Sequence, residues 1–178
     1  MEDFLFLCGL DEAGRGPLAG PVVAACAILP SDFPIEILGD SKALSEKKRN
    51  EAEKIIKEKA CFGIGEVDHK TIDKINILAS SLLAMKIAYE EMTKKIVAWA
   101  EKNGIALPEN GFSDSLVFAI TDGNFCPQIP CTCVAKPKAD ATYPPVMAAS
   151  ILAKVHRDNI MRDFDELYPG YGYAKHKG

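Results

Sequence analysis

Acidic residues follow two apolar runs of the chain. Residues 4–10 form a continuous apolar run typical of a buried strand, and Asp11 and Glu12 come directly after it. Asp122 follows a second such run, residues 116–120. Acids at strand ends can meet at one edge of a sheet, and neighbouring carboxylates resist joint ionisation unless a cation lies between them. Hard carboxylate oxygens suit Mg²⁺ or Mn²⁺, and two such ions about 4 Å apart can promote hydrolysis at phosphorus.

An ordinary turn is the alternative for Asp122, because an aspartate followed by glycine commonly ends a strand. Taken alone, Asp122 and Gly123 favour that interpretation. The segment after Glu12 is more distinctive, since Arg15 stands between Gly14 and Gly16. Glycines let backbone N–H groups approach an anion, and arginine adds a planar phosphate donor. The segment predicts a loop that holds a sugar-phosphate, with a solvated turn as the alternative and no dinucleotide-binding glycine pattern.

Composition indicates a globular chain with a large core. Its 178 residues suit a single domain, expected over 1–178, and 48% of them are hydrophobic. No apolar run reaches the roughly 18 residues of a membrane span, and the acidic start lacks a secretory signal, so a cytoplasmic protein is expected. The net charge of −4 argues against a nonspecific DNA coat protein, although residues 136–178 hold seven basic against five acidic residues.

The cysteines fall into two groups. One group lies in apolar runs and is expected to be small core residues: Cys8, Cys26 and Cys61. The other is close together and leaves a zinc site as an alternative: Cys126, Cys131 and Cys133. A zinc site needs a fourth ligand at suitable spacing, and the three histidines lie far away in sequence, so buried reduced thiols are favoured.

Hydrophobic periodicity and capping residues predict an alternating set of strands and helices. Strands are predicted at residues 4–10, 21–29, 61–67, 116–120 and 129–134. Helices are predicted at residues 45–60, 76–102 and 146–167, with Ser45 as the first N-cap and Pro144 and Pro145 before the last helix. Residues 168–178 are predicted to be a loop.

Several motifs in the same order resemble ribonuclease HII, the type 2 ribonuclease H family. They are residues 9–21, Asp40-Ser41-Lys42, Asn76-Ile77-Leu78, Asp122-Gly123, Lys138-Ala139-Asp140, residues 148–155 with Arg157-Asp158, Tyr168-Pro169 and His176-Lys177-Gly178. The resemblance covers nearly the whole chain. The related type three enzymes carry an additional N-terminal domain and a different glycine loop, which points away from them.

The resemblance implies an α/β fold, a ribonuclease H-like mixed five-stranded sheet flanked by helices. It implies that four acids hold Mg²⁺ or Mn²⁺ and perform catalysis: Asp11, Glu12, Asp122 and Asp140. It also implies that Gly14, Arg15 and Gly16 contact the ribonucleotide 2′-hydroxyl and its phosphate, since that hydroxyl distinguishes RNA from DNA.

Further substrate contacts are expected on a helix and on a loop. Ser150, Lys154 and Arg157 are spaced to share one helix face, and backbone phosphate contact is preferred there over a solvated face. Ser41 and Lys42 are expected to contact the substrate because they stand in a family motif, although Lys42 could equally be an ordinary surface lysine.

The expected function is an endoribonuclease that cuts RNA in RNA–DNA hybrids and ribonucleotides embedded in duplex DNA, leaving 5′-phosphate and 3′-hydroxyl ends. A monomer is expected. Family members continue past His176-Lys177-Gly178 with a tyrosine and a further packing segment, so slower cleavage is expected of a chain ending there. The alternatives are a non-catalytic hybrid-binding protein and a phosphatase acting on small esters, which lacks an obvious nucleophile motif.

Overall fold

The computed structural model describes residues 4–39 and 44–176, and five strands form one mixed sheet. The strands are β1 (Phe6–Ala13), β2 (Val22–Ile28), β3 (Cys61–Val67), β4 (Val117–Asp122) and β5 (Thr132–Lys136). Their order across the sheet is β3-β2-β1-β4-β5. Neighbours β1–β2 and β2–β3 run antiparallel, whereas β1–β4 and β4–β5 run parallel. The expected fold class is confirmed.

The strands themselves contain three of the acids that were expected to follow them: Asp11, Glu12 and Asp122. In β1, Asp11 pairs with Ala25 and Glu12 with Ala24, so the strand continues to Ala13. The predicted strand end at residue 10 was wrong because antiparallel pairing with β2 holds two acids that the apolar pattern excluded. Asp122 is likewise the last residue of β4.

Helices cover both faces of the sheet: α1 (Glu46–Lys59), α2 (His69–Ile75), α3 (Ile77–Lys102) and α4 (Pro144–Leu167). Helix α3 packs on β3 and β2 from one side, and α4 packs on β1 and β2 from the other, with α1 against α4. Each side has its own buried apolar cluster. This sandwich fixes where strand side chains point, because successive residues alternate between the two faces.

Side-chain N-caps mark the starts of α1, α2 and α3. The Ser45 hydroxyl accepts a hydrogen bond from the Lys48 N–H at 3.3 Å, which confirms the predicted cap of α1. The sequence analysis missed α2, because its seven residues contain little apolar periodicity. Asn76 separates α2 from α3 with a φ of 70°, and its side chain accepts from the Ala79 N–H at 3.0 Å. Asn76 thereby begins α3 close to its predicted start.

Several of the cysteines behave as core residues. Cys8, Cys26 and Cys61 are buried, with 3.6 Å between the first two sulfurs. Cys126 is exposed. Over residues 4–39 and 44–176, no group of three or more histidine, cysteine or acidic side chains is arranged to hold a metal ion. None of the helices described has both the length and the apolarity needed to cross a membrane.

Candidate metal centre

A pocket of about 160 Å³ opens at the ends of β1 and β4. It brings together all four acids that the sequence analysis named. Its lining consists of Asp11, Glu12, Asp122 and Asp140 with residues 13–16, Ser150 and Lys154. The strands, a short turn, the loop after β1 and helix α4 therefore each line part of the pocket, although these residues lie far apart in sequence.

Strand register places two of the acids beside each other. Leu10 of β1 faces Thr121 of β4 in the parallel pairing, and Asp11 and Asp122 are the next residue on each strand. Asp140 lies in a short 3-10 turn, Ala139–Ala141. The Asp122 Oδ1 accepts a hydrogen bond from the Ala139 N–H at 2.7 Å. This hydrogen bond holds the turn that carries Asp140 against the end of β4.

The pocket destabilises carboxylate charge. Burial raises the pKa of Asp11 well above its usual range, and the neighbouring charges of Glu12 and Asp122 raise it further. A hydrogen bond from the Ser150 side chain opposes that shift. Burial also raises the pKa of Glu12, against the effect of Arg15, whose Nη1 donates to Glu12 Oε1 at 3.2 Å. Negative charge gathered this way favours binding of a cation.

The carboxylates line the pocket without converging on one point. The alternation of β1 directs Leu10 and Glu12 to the α3 side and Asp11 to the α4 side, where it meets Ser150. Among the residues described, no three histidine, cysteine or acidic side chains are yet close enough to hold a metal ion together. The donor set nevertheless fits Mg²⁺ or Mn²⁺, because it consists of hard carboxylate oxygens beside an open cavity.

The glycine loop, residues 14–21, forms one wall of the pocket. Gly14 has a φ of +109°, a conformation that L side chains rarely adopt. At Gly16 an added Cβ would meet nothing within 4 Å, so the fold itself does not require glycine there. That open space would let a sugar-phosphate approach the backbone closely. The arrangement suits the substrate role expected of Gly14, Arg15 and Gly16.

The expected phosphate-binding face of α4 divides into three environments. Ser150 bonds to Asp11, and Lys154 lines the pocket while its Nζ donates to Asp158 Oδ1 at 2.9 Å. Arg157 has 0% exposure, and all three of its nitrogen groups donate to backbone carbonyls. Arg157 has no exposed surface that could contact a phosphate, so the phosphate contact expected of it was wrong. Its side chain bonds to the glycine loop instead. Ser41 and Lys42 lie outside the described residues.

Phe125 lies beside the candidate site and was not singled out from the sequence. Its side chain is 54% exposed, and it lines a small pocket with Glu12, Arg15 and Asp122. An aromatic residue soon after a candidate metal ligand was the available signal. An exposed aromatic ring of this kind is suited to stack on a nucleotide base.

Comparison with known protein families identifies the family of this chain. A family model described as Ribonuclease HII matches residues 8–178. The chain belongs to the ribonuclease HII family. A ribonuclease HII of Treponema denticola is 48% identical over 176 residues, which cover 97% of this chain and 85% of that protein.

Solved structures agree with the ribonuclease HII assignment. The ribonuclease H2 of Pyrococcus horikoshii has a TM-score of 0.64 at 25% identity, over 94% of this chain and 79% of that one. A complex of PCNA with RNase HII from Archaeoglobus fulgidus has a TM-score of 0.61 at 28% identity, over 96% and 83%. The chain is therefore a metal-dependent ribonuclease H, a phosphodiester hydrolase that cuts internally.

Proposed function

We propose that this chain hydrolyses RNA in RNA–DNA hybrids and at ribonucleotides embedded in duplex DNA, with two Mg²⁺ or Mn²⁺ ions held by Asp11, Glu12, Asp122 and Asp140. The observation that carries the proposal is the pocket that all four acids line together with the glycine loop. Bound ions would supply an activated water and stabilise the leaving oxygen, so that cleavage leaves 5′-phosphate and 3′-hydroxyl ends.

The residues around the acids would prepare the reaction. The Ser150 bond to Asp11 would orient that carboxylate, and the Asp122 bond to the Ala139 N–H would hold Asp140 in place. Lys154 puts a positive charge in the pocket while bound to Asp158. We propose that this ammonium attracts the scissile phosphate, which places its phosphate contact inside the pocket instead of on an open helix face.

Recognition of the ribonucleotide would fall to the glycine loop. Gly16 leaves space for a close approach, and Arg15 is 47% exposed with its Nη1 on Glu12. The backbone N–H groups of the loop would bind the 2′-hydroxyl and Arg15 the adjoining phosphate. Ser41 and Lys42 stay proposed substrate contacts on the strength of their motif alone.

The direct test is cleavage of a labelled DNA duplex that carries one ribonucleotide. We expect cutting beside the ribonucleotide with Mg²⁺ or Mn²⁺, none with EDTA, and none of an all-DNA duplex. End analysis should give 5′-phosphate and 3′-hydroxyl products. Binding without cutting at any metal concentration would favour the hybrid-binding alternative, and turnover of a small chromogenic phosphate ester would favour the phosphatase.

The same assay addresses metal and substrate preference. Separate titrations with Mg²⁺ and Mn²⁺ would rank the metals, and a continuous hybrid beside the single-ribonucleotide duplex would rank the substrates. We further propose that residues 1–178 act as one catalytic domain, as a monomer and in the cytoplasm. The single sheet shared by all described strands supports the domain proposal, and light scattering at assay concentration tests the monomer.

A further inference from the structure

Arg157 joins two separate segments of the chain through three backbone carbonyls. Its Nε donates to the Pro21 carbonyl at 3.0 Å, its Nη2 to the Ala19 carbonyl at 2.9 Å and its Nη1 to the His176 carbonyl at 2.9 Å. The side chain has 0% exposure. One buried guanidinium on α4 therefore holds the end of the glycine loop and the segment after α4 together.

The glycine loop lies directly on this part of α4. A Cβ added at Gly14 would come within 2.4 Å of Arg157 Nε, and one at Gly20 within 2.4 Å of Met161 Sδ. Both glycines have positive φ, 109° and 89°. The start and the end of the loop are thus seated on α4 with no room for a side chain, and Arg157 contacts both.

Helix α4 also positions an acid of the pocket. Ser150 bonds to Asp11, and Arg157 lies two turns further along the same helix. Because one rigid element holds an acid at one point and the loop at another, it fixes their separation. The guanidinium suits this task, since its planar fork can donate in several fixed directions, whereas a lysine ammonium is a point charge on a flexible stem.

We propose that Arg157 is a positioning residue that sets the distance of Gly14, Arg15 and Gly16 from the four acids of the pocket, and so controls the rate of cleavage at a ribonucleotide. It acts through the carbonyls of Ala19 and Pro21 and does not touch phosphate. This inference rests on the proposed role of the glycine loop. A residue needed for stability alone would leave the cleavage rate unchanged once the folded fraction is corrected for.

The test replaces Arg157 by lysine and compares it with a matched arginine on the same helix. Arg162 is 40% exposed and its Nη2 binds Glu46 at 3.0 Å, so Arg162→Lys is the control. Three quantities are measured on the full chain: the single-turnover rate on the one-ribonucleotide duplex, the salt dependence of duplex binding, and hydrogen exchange of residues 14–21.

For Arg157→Lys we expect the cleavage rate to fall by about 10- to 100-fold, since small losses of positioning are costly. The salt slope should stay unchanged, and exchange in the loop should become faster. Arg162→Lys should match the wild type in all three. A salt slope reduced by about one phosphate contact with unchanged loop exchange would show Arg157 to be a phosphate ligand and overturn the proposal. A rate equal to that of the control would also overturn it.

A second variant covers the case in which Arg157→Lys does not fold. Gly20→Ala keeps the guanidinium and pushes the loop away from Met161. We expect the same loss of rate with an unchanged salt slope, and a wild-type rate despite faster loop exchange would overturn the proposal. If the wild type itself fails to cut, the proposed function fails, but loop exchange still reports whether Arg157 holds the loop. Unchanged exchange in both variants would then refute that part independently.

Discussion

Two clusters of charged groups meet helix α4, and they are built differently. Four acids line the pocket, where burial and the charges of Glu12 and Asp122 raise the pKa of Asp11. Along the helix, Asp158 is buried but its Oδ1 accepts from Lys154 and its Oδ2 lies 3.8 Å from the Arg49 guanidinium. We name these the acid pocket and the ion cluster of Arg49, Lys154 and Asp158.

The difference separates function from structure. The ion cluster neutralises its buried carboxylate with cations of the chain itself, which is how proteins usually tolerate buried charge. The acid pocket contains more negative than positive groups and can gain balance from bound cations. Lys154 belongs to both regions, because it lines the pocket and binds Asp158. Buried acids near the same helix can therefore be distinguished by whether basic side chains of the protein already neutralise their charge.

The largest effect is expected from neutralising the acid pocket. Asp11→Asn and Asp122→Asn each remove a negative ligand from ions that would be held mainly by carboxylates. We expect the cleavage rate to fall by at least about 10³-fold, in line with the several kcal/mol that metal ions contribute to such reactions. Single-turnover rates at saturating Mg²⁺ measure this. A near wild-type rate in either variant would show that the residue is not a metal ligand.

Neutralising the acid of the ion cluster should act on stability instead. Asp158→Asn leaves Lys154 and Arg49 without their shared counter-charge. We expect the free energy of unfolding to fall by about 3 kcal/mol, the usual cost of breaking a buried ion pair. Denaturant titration measures it, and Lys57→Gln, whose lysine is 42% exposed, is the surface control. An unchanged free energy of unfolding would mean that the two clusters do not differ as described.

The sequence predicted the members of the acid pocket well, because three of its acids stand at or near apolar runs and the family motif supplied Asp140. Hydrophobic periodicity also predicted most of the helices and strands. The sequence could not predict the bond between Arg157 and the loop. The partners of that side chain are backbone carbonyls 136 and 138 positions away, and a carbonyl has no residue type that a pattern could detect.

The spacing of Ser150, Lys154 and Arg157 illustrates the same limit. Helical periodicity correctly put them on one side of α4, but it could not say whether that side meets solvent, acids or another loop. In the structure, Ser150 bonds to Asp11, Lys154 lines the acid pocket and Arg157 bonds to the glycine loop. The end of β1 was misplaced for a related reason, since pairing with β2 extends a strand beyond its apolar residues.

Loss of Arg15 should give a smaller effect than loss of either buried acid. Arg15→Ala removes a half-exposed phosphate donor and the bond to Glu12, but leaves all four acids in place. We expect cleavage of the one-ribonucleotide duplex to slow by about tenfold, the value of one hydrogen bond to a charged group. Binding of that duplex should weaken much less. An equal loss of cleavage and binding would show that Arg15 supplies general affinity only.

The smallest effect should appear in the metal-free protein. Because burial and the charge of Glu12 raise the pKa of Asp11, the folded chain binds a proton there more readily than the unfolded chain does. Between the ordinary carboxyl pKa and this raised one, stability therefore falls as pH rises. Melting curves in EDTA between about pH 5 and about pH 8 should show the trend, and Mg²⁺ should counter it at the alkaline end.

Asp11→Asn is the matched variant for that melting series. Without a titrating group at this position, the pH dependence should become shallower, and a residual slope should remain because the pKa of Glu12 is raised as well. The amide also removes repulsion, so the metal-free variant should melt at or above the wild-type temperature at alkaline pH. A variant with the wild-type slope would mean that Asp11 carries no unbalanced charge. The acid pocket would then differ from the ion cluster only in its exposure to substrate.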